Sequence, residues 1–297
     1  MVDLRGMSTE TRNPASETLD AMSALEIVTL MNKEDRKVPE AIESQLGKIA
    51  EAAEAAVSSF EKGGRLIYIG AGTSGRLGVV DASECPPTFG VPEGMVIGLI
   101  AGGERAFTKA VEGAEDSPGL GRRDLEALGL TASDTVIGIA ASGRTPYVIG
   151  ALLYAKETGA RTVAIVCNKG SRIAELSDIA IEVEAGPEVL TGSTRLKAGT
   201  AEKLVLNMIS TASMVRLGKC YSNLMVDVVQ SNEKLESRAE NIVIETTGVT
   251  REEARKALKE AGGSVKKAVV MLLKGCSADD AGKCLMRAKG HVREALA

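Results

Sequence analysis

The sequence predicts an α/β fold: a doubly wound, five-stranded parallel sheet with an N-terminal helical arm and a small C-terminal helical domain. Three observations carry this. Five short apolar runs between residues 63 and 239 alternate with helical segments. Four of those five runs are nearly continuous rather than alternating, as a sheet covered on both faces requires. From residue 240 onward the strand pattern is gone. Strands that alternate with helices must each return over a crossover, which makes the sheet parallel.

Residues 1–62 make the arm. A polar lead up to Asn13 gives way to helical stretches over 19–31 and over 41–60, the second rich in Ala and Glu, with Pro39 suited to a first helical turn. The arm carries 12 acidic and 7 basic residues, a poor charge for a DNA-binding headpiece. Its apolar positions are too few for a separate core, so it is expected to pack on a neighbour across a dimer. The strands are expected at 65–70, 96–101, 135–140, 162–167 and 179–183. Between the third and fourth, Pro146 opens a helix that Gly159 stops, and a long helix runs over 197–217. This middle region extends over 63–239. The C-terminal region, 240–297, reads as three short helices near 250–260, 264–274 and 277–288, broken at Gly262-Gly263 and Gly275. Thr250 and Glu253 have the spacing of a capping box. Its 8 acidic and 11 basic residues read as a solvated surface.

Composition removes whole classes of function. The 297 residues carry 36 Lys+Arg against 40 Asp+Glu, a net charge of −4, so no whole-chain field draws the protein to nucleic acid. No apolar run reaches the ~18 residues of a membrane span, and the first residues lack a secretory apolar region. A soluble, cytoplasmic protein with no nucleic-acid or membrane partner is expected. Trp is absent, with four Tyr and three Phe, so the core must be aliphatic. The five cysteines have no CxxC spacing, and His291 is the single histidine, which argues against a metal site or a His-activated nucleophile. Carboxylates, hydroxyls and backbone amides are left to carry any reaction.

Three loops have the chemistry to hold a phosphate. The first, residues 70–76, follows a strand, leads into a helix and supplies Gly72, Thr73, Ser74 and Gly75. Glycines admit an anion close to the backbone, and a helix start presents free N–H groups. Gly70, Gly72 and Gly75 match the dinucleotide spacing GxGxxG. However, the hydroxyls suit a terminal phosphate better, and the acidic residue expected about 20 positions on for a ribose has no clear place. Tight helix–sheet packing is the structural alternative for these glycines. The second loop, 141–146, repeats the arrangement with Ser142, Gly143 and Thr145. The third, 191–197, offers Ser193, Thr194 and Lys197 before the long helix, where an ordinary helix cap is an equal alternative. Two such loops at the carboxyl ends of parallel strands converge where open sheets bind ligands. Two carboxylates stand nearby in sequence: Glu84, followed by two prolines that are expected to fix a loop, and Glu115, beside Glu112. Carboxylates are the natural acid and base without a usable histidine.

The motifs GAGTSGRLG, DASECPP, AGGE, AVEGAED, ASGRTPYV, TGSTRLKAGTAEK and NLMVDVVQSNEKL together resemble the N-acetylmuramic acid 6-phosphate etherases. The resemblance reaches TETRNPAS and NKEDRKVP near the N-terminus and the C-terminal helices. It implies a sugar-isomerase-type phosphosugar-binding domain over 63–239 and a small phosphosugar substrate. It also implies a cytoplasmic homodimer without metal or cofactor, acting in cell-wall amino-sugar recovery. Glu84 in DASECPP matches the family's proton donor, and Glu115 in VEGAED its second active-site glutamate. Partial burial would be needed to keep Glu84 protonated near neutrality. Two other readings are a phosphosugar-sensing regulator similar to the glucokinase regulatory proteins and an aldose–ketose isomerase. The pair of glutamates argues for the etherase.

Overall fold

Each of the five apolar runs becomes a strand in a computed structural model of the chain, which describes residues 7–109, 111–228 and 233–297. Residues 1–6 of the expected polar lead, Ala110 of AVEGAED and residues 229–232 of NLMVDVVQSNEKL lie outside the described residues. The strands are β1 (Leu66–Gly70), β2 (Val96–Ile100), β3 (Thr135–Ala140), β4 (Arg161–Val166) and β5 (Ile179–Glu182). They stand in the order β2-β1-β3-β4-β5, every neighbouring pair parallel. The order in which successive strands are added reverses between β1 and β3, which opens a crevice at their carboxyl ends. Leu66 to Ile69 of β1 and Val136, Ile137 and Ile139 of β3 are fully buried, so the continuous apolar runs answer to two covered faces.

The helices α1 (Ala24–Asp35), α2 (Lys37–Glu43) and α3 (Leu46–Glu61) fill the arm. A capping box between Ser23 and Glu26 starts α1. The apolar face of α3, with Ala52, Ala56 and Val57, is buried, and the helix lies against β1, β3 and β5. A 2.8 Å hydrogen bond between the Ser59 and Thr135 hydroxyls ties it to the sheet. The neighbour this helix needed is therefore its own sheet, whereas α1 leaves Leu25 and Val28 exposed.

Helix α4 (Gly72–Phe89) corrects one expectation. Pro86 and Pro87 do not open a loop after Glu84; they lie inside the last turn of the helix. A proline removes an N–H and disturbs the preceding turn, and α4 ends at Phe89, with Gly90 N–H donating to Pro86 O at 2.9 Å. The remaining helices of the sheet region are α5 (Pro118–Ala127), α6 (Pro146–Thr158), α7 (Arg172–Leu176) and α8 (Lys197–Arg216). Pro146 and a left-handed Gly159 bound α6 as the sequence predicts. Two tyrosines are fully buried because their hydroxyls meet carboxylates: Tyr68 donates to Asp81 Oδ2 at 2.9 Å and Tyr147 to Asp124 Oδ2 at 2.6 Å. Burial, with Asp124 added, pushes the Tyr147 phenol up.

The chain divides into two compact units, Met1–Ser83 with Gly94–Ser210, and Glu84–Glu93 with Thr211–Ala297. The arm thus shares a unit with the sheet rather than breaking from it at 62/63. The second unit holds a short hairpin of β6 (Cys220–Tyr221) and β7 (Leu224–Met225) and the helices α9 (Glu233–Thr247), α10 (Arg251–Glu260), α11 (Val265–Lys274), α12 (Ala278–Arg287) and α13 (Val292–Leu296). The three expected C-terminal helices are α10 to α12, and the predicted capping box at Thr250 and Glu253 is formed. The boundary expected at 239/240 falls inside α9. Val243, Ala254, Val269 and Leu285 lie in a core of this unit's own. Among the described residues, no helix is long and apolar enough to cross a membrane.

Candidate active site

At the end of β1, Gly72 opens α4 and Gly75 lets the helix begin directly over the strand. A Cβ on Gly75 would stand 2.6 Å from Gly70 O and 2.8 Å from Ile100 Cγ1. Close packing, the structural alternative, is thus a sufficient reason for this glycine. Ser74 is buried, and its Oγ lies 2.8 Å from Glu202 Oε1 on α8. Only 1% of Glu202 is exposed. Burial pushes its carboxyl up to about 8, against the smaller lowering effect of the Ser74 hydrogen bond.

At the end of β3 the chain turns sharply through Ser142 and Gly143. Gly143 has φ +68, and a Cβ there would meet Ser171 Oγ at 2.2 Å. The Gly143 N–H donates to Ala140 O at 2.9 Å, and the Arg144 N–H to Ser142 Oγ at 3.3 Å. Thr145 stands at the start of α6 but does not cap it with its side chain. Its hydroxyl instead donates to Glu115 Oε1 at 3.2 Å, while the Tyr147 N–H donates to Glu115 O at 3.0 Å. The carboxylate of Glu115 is thereby fastened to the loop that follows β3, and its backbone to the first turn of α6.

Asn168, just after β4, binds this loop to the N-terminal segment. Its Nδ2 donates to Ala141 O and to Thr9 Oγ1, each at 3.0 Å, and its Oδ1 accepts from the Ser8 hydroxyl at 3.0 Å. Thr9 and Asn168 are both buried.

The third loop differs from its reading as an anion site. Glu188 accepts the Lys197 and Ala198 N–H groups, each at 3.0 Å, so a carboxylate of this chain already occupies the start of α8. Lys197, expected as a phosphate-binding cation, is buried with its ammonium 2.8 Å from Glu34 Oε2. Burial alone would push Glu34 up. The hydrogen bonds from Lys197, Lys37 and Asn13 outweigh it and hold the carboxyl down at about 2. Ser193 and Thr194 are half-buried. A Cβ on Gly199 would stand 3.5 Å from both Thr194 O and Thr73 Cγ2, which sets this turn beside the β1 loop.

The structure therefore brings Thr73 and Ser74 to the start of α8, and Glu115 to Thr145. Glu84 belongs to the second unit and is exposed, without the burial the acid role was expected to need. Glu202, Asn168, Glu188 and Glu34 were not singled out from the sequence. Glu202 stands inside TGSTRLKAGTAEK and Thr9 inside TETRNPAS, motifs that carry the family resemblance, so the signal lies in the motifs rather than in any local spacing. Among the described residues, no group of three or more His, Cys, Asp or Glu side chains could hold a metal ion.

Two family models match the chain: the glucokinase regulatory protein N-terminal SIS domain over residues 48–156, and the SIS domain over 123–212. An N-acetylmuramic acid 6-phosphate etherase from Pectobacterium atrosepticum is 61% identical over 295 residues, 99% of this chain and 97% of that one. One from Serratia proteamaculans is 60% identical over 99% of both chains. Among solved structures, a phosphoheptose isomerase from Francisella tularensis aligns with a TM-score of 0.50 at 19% identity, over 65% of this chain and 100% of that one. One from Neisseria gonorrhoeae gives the same TM-score and identity over 64% and 99%. At that identity the likeness is one of fold.

Proposed function

The chain belongs to the N-acetylmuramic acid 6-phosphate etherase family, and from that premise we propose how its residues perform the reaction. The protein is a carbon–oxygen lyase. It cleaves the D-lactyl ether of N-acetylmuramic acid 6-phosphate, with water, to N-acetylglucosamine 6-phosphate and D-lactate. The observation that carries this is 61% identity along 99% of the chain.

An alkyl ether resists direct hydrolysis because its alkoxide is a very basic leaving group. Opening the sugar ring exposes an aldehyde and makes the hydrogen on carbon 2 acidic. A carboxylate of the site takes that proton to give an enolate-like species, which expels lactate from carbon 3 when an acid protonates the departing oxygen, and carbon 2 regains a proton from solvent after water has added. Glu84, exposed in the free chain, is that acid once the bound sugar covers its carboxyl and strips it of water, and water then adds at carbon 3 with Glu115 as its base. The Thr145 hydroxyl supports this role by aiming the Glu115 carboxylate. Ser142 is suited to the phosphate: its Oγ accepts from the Arg144 N–H, which leaves its own proton to donate. Gly72, Thr73, Ser74, Gly75, Gly143, Ser193 and Thr194 surround the same phosphosugar. Lys197 serves the site through Glu34 rather than by touching the phosphate. The exposed Leu25 and Val28 of α1 support a homodimer.

Incubation of the purified protein with N-acetylmuramic acid 6-phosphate in labelled water tests the reaction. Solvent oxygen should appear on carbon 3 of the sugar and solvent deuterium on carbon 2. Label in lactate with carbon 2 unexchanged would sink the elimination path. The alternative reading, a non-catalytic phosphosugar sensor, requires that no lactate be released at all.

A further inference from the structure

Glu202 has no part in the path above, yet its carboxyl is buried against a hydroxyl of the first phosphate loop. A serine has one proton to give and lone pairs to receive with; an ionised carboxylate can only receive. Were Glu202 ionised, Ser74 would have to spend its proton on Oε1 and would turn lone pairs toward an anionic ligand. With a carboxylic acid at 202, the acid proton goes to Ser74 Oγ and the serine proton is free. The 2.8 Å separation suits either direction of donation.

We propose that Glu202 is a positioning residue that acts as a neutral acid, donating to Ser74 Oγ so that Ser74 can donate to the substrate phosphate. This rests on Ser74 touching that phosphate.

The surroundings keep the acid neutral. On α4, Ser74 is its hydrogen-bond partner, Arg76 is turned to the Ala106 and Phe107 carbonyls, and Asp81 is bonded to Tyr68, Asn207 and Ser210. From the end of β4 it faces the Cys167 thiol, which burial, Glu202 and Glu188 push up. Glu188 is an anion spent on the α8 N–H groups, Lys197 is paired with Glu34, and Lys203 is exposed. No cation among these favours ionisation, and burial sets the carboxyl at about 8.

The test is KM for lactate release from pH 6.5 to 9.5 in the native protein, Glu202→Gln and Ser74→Ala. Native KM should rise above pH 8, by about 30-fold at pH 9.5 if only the neutral form binds. Glu202→Gln, whose amide always donates, should show no such rise. A Glu202→Gln profile that follows the native one overturns the proposal. Ser74→Ala with an unchanged KM at pH 7 instead removes Ser74 from the phosphate, a failure of the site reading. Should Glu202→Gln not fold, calorimetry of N-acetylglucosamine 6-phosphate binding to the native protein at pH 8.5, in buffers of different ionisation enthalpy, decides. Proton uptake is expected, and its absence overturns the proposal.

Discussion

The Lys197 ammonium lies 2.8 Å from Glu34 Oε2, with 1% and 3% of the two side chains exposed, so α1 and α8 share an ion pair that water barely reaches. Removing one partner of such a pair strands the other charge. Lys197→Met should therefore cost about 3–5 kcal/mol in denaturant unfolding, and adding Glu34→Met should recover part of it. Glu34 is held below its ordinary 4.5, at about 2, so its contribution is fully present above pH 4.5 and disappears as pH falls toward 2. The native unfolding midpoint should drop through that window, and the double variant should drop less. Equal losses in both would place the acid sensitivity elsewhere.

Glu84→Gln keeps the side-chain shape and removes the ionisable proton. Lactate release should fall roughly 100-fold or more while the far-UV spectrum is unchanged. Near-native turnover would take the acid role away from this residue.

Ser142→Ala removes a hydroxyl whose proton is free to donate. Substrate binding should weaken by about 1–3 kcal/mol, read as a rise in KM with little change in kcat. An unchanged KM would remove Ser142 from the phosphate.

Gly143→Ala places a Cβ 2.2 Å from Ser171 Oγ at φ +68. The left-handed conformation alone costs roughly 1–2 kcal/mol for a residue with a side chain. Both the thermal midpoint and kcat/KM should fall, since the turn that sets Ser142 must reopen. A variant as stable and active as the native protein would mean this turn adapts freely.

The sheet was legible because its strands are buried on both faces and so appear as bare apolar runs. The turns after β1 and β3 were legible as strand–turn–helix junctions because glycine is needed there, at Gly75 for close packing and at Gly143 for a left-handed backbone, and that need is the same whether or not a phosphate binds. The prolines after Glu84 misled because in isolation they stop helices, whereas in the last turn of α4 they cost little further helix. Lys197 misled for a different reason: a lysine beside hydroxyls looks free until its partner is known, and Glu34 lies 163 residues away in the chain. Glu202 left no local mark, since an acidic residue in an Ala-rich helix is indistinguishable from a solvated one until the opposing helix is in place.

The hydroxyl–carboxylate pairs of Tyr68 and Tyr147 give the first unit a built-in optical reporter. A phenol bonded to a carboxylate loses its excitation readily to proton transfer, so these two rings should be dim in the folded protein. With no Trp to mask them, tyrosine emission should brighten as the sheet opens. A single indole introduced anywhere else would be read on a clean background.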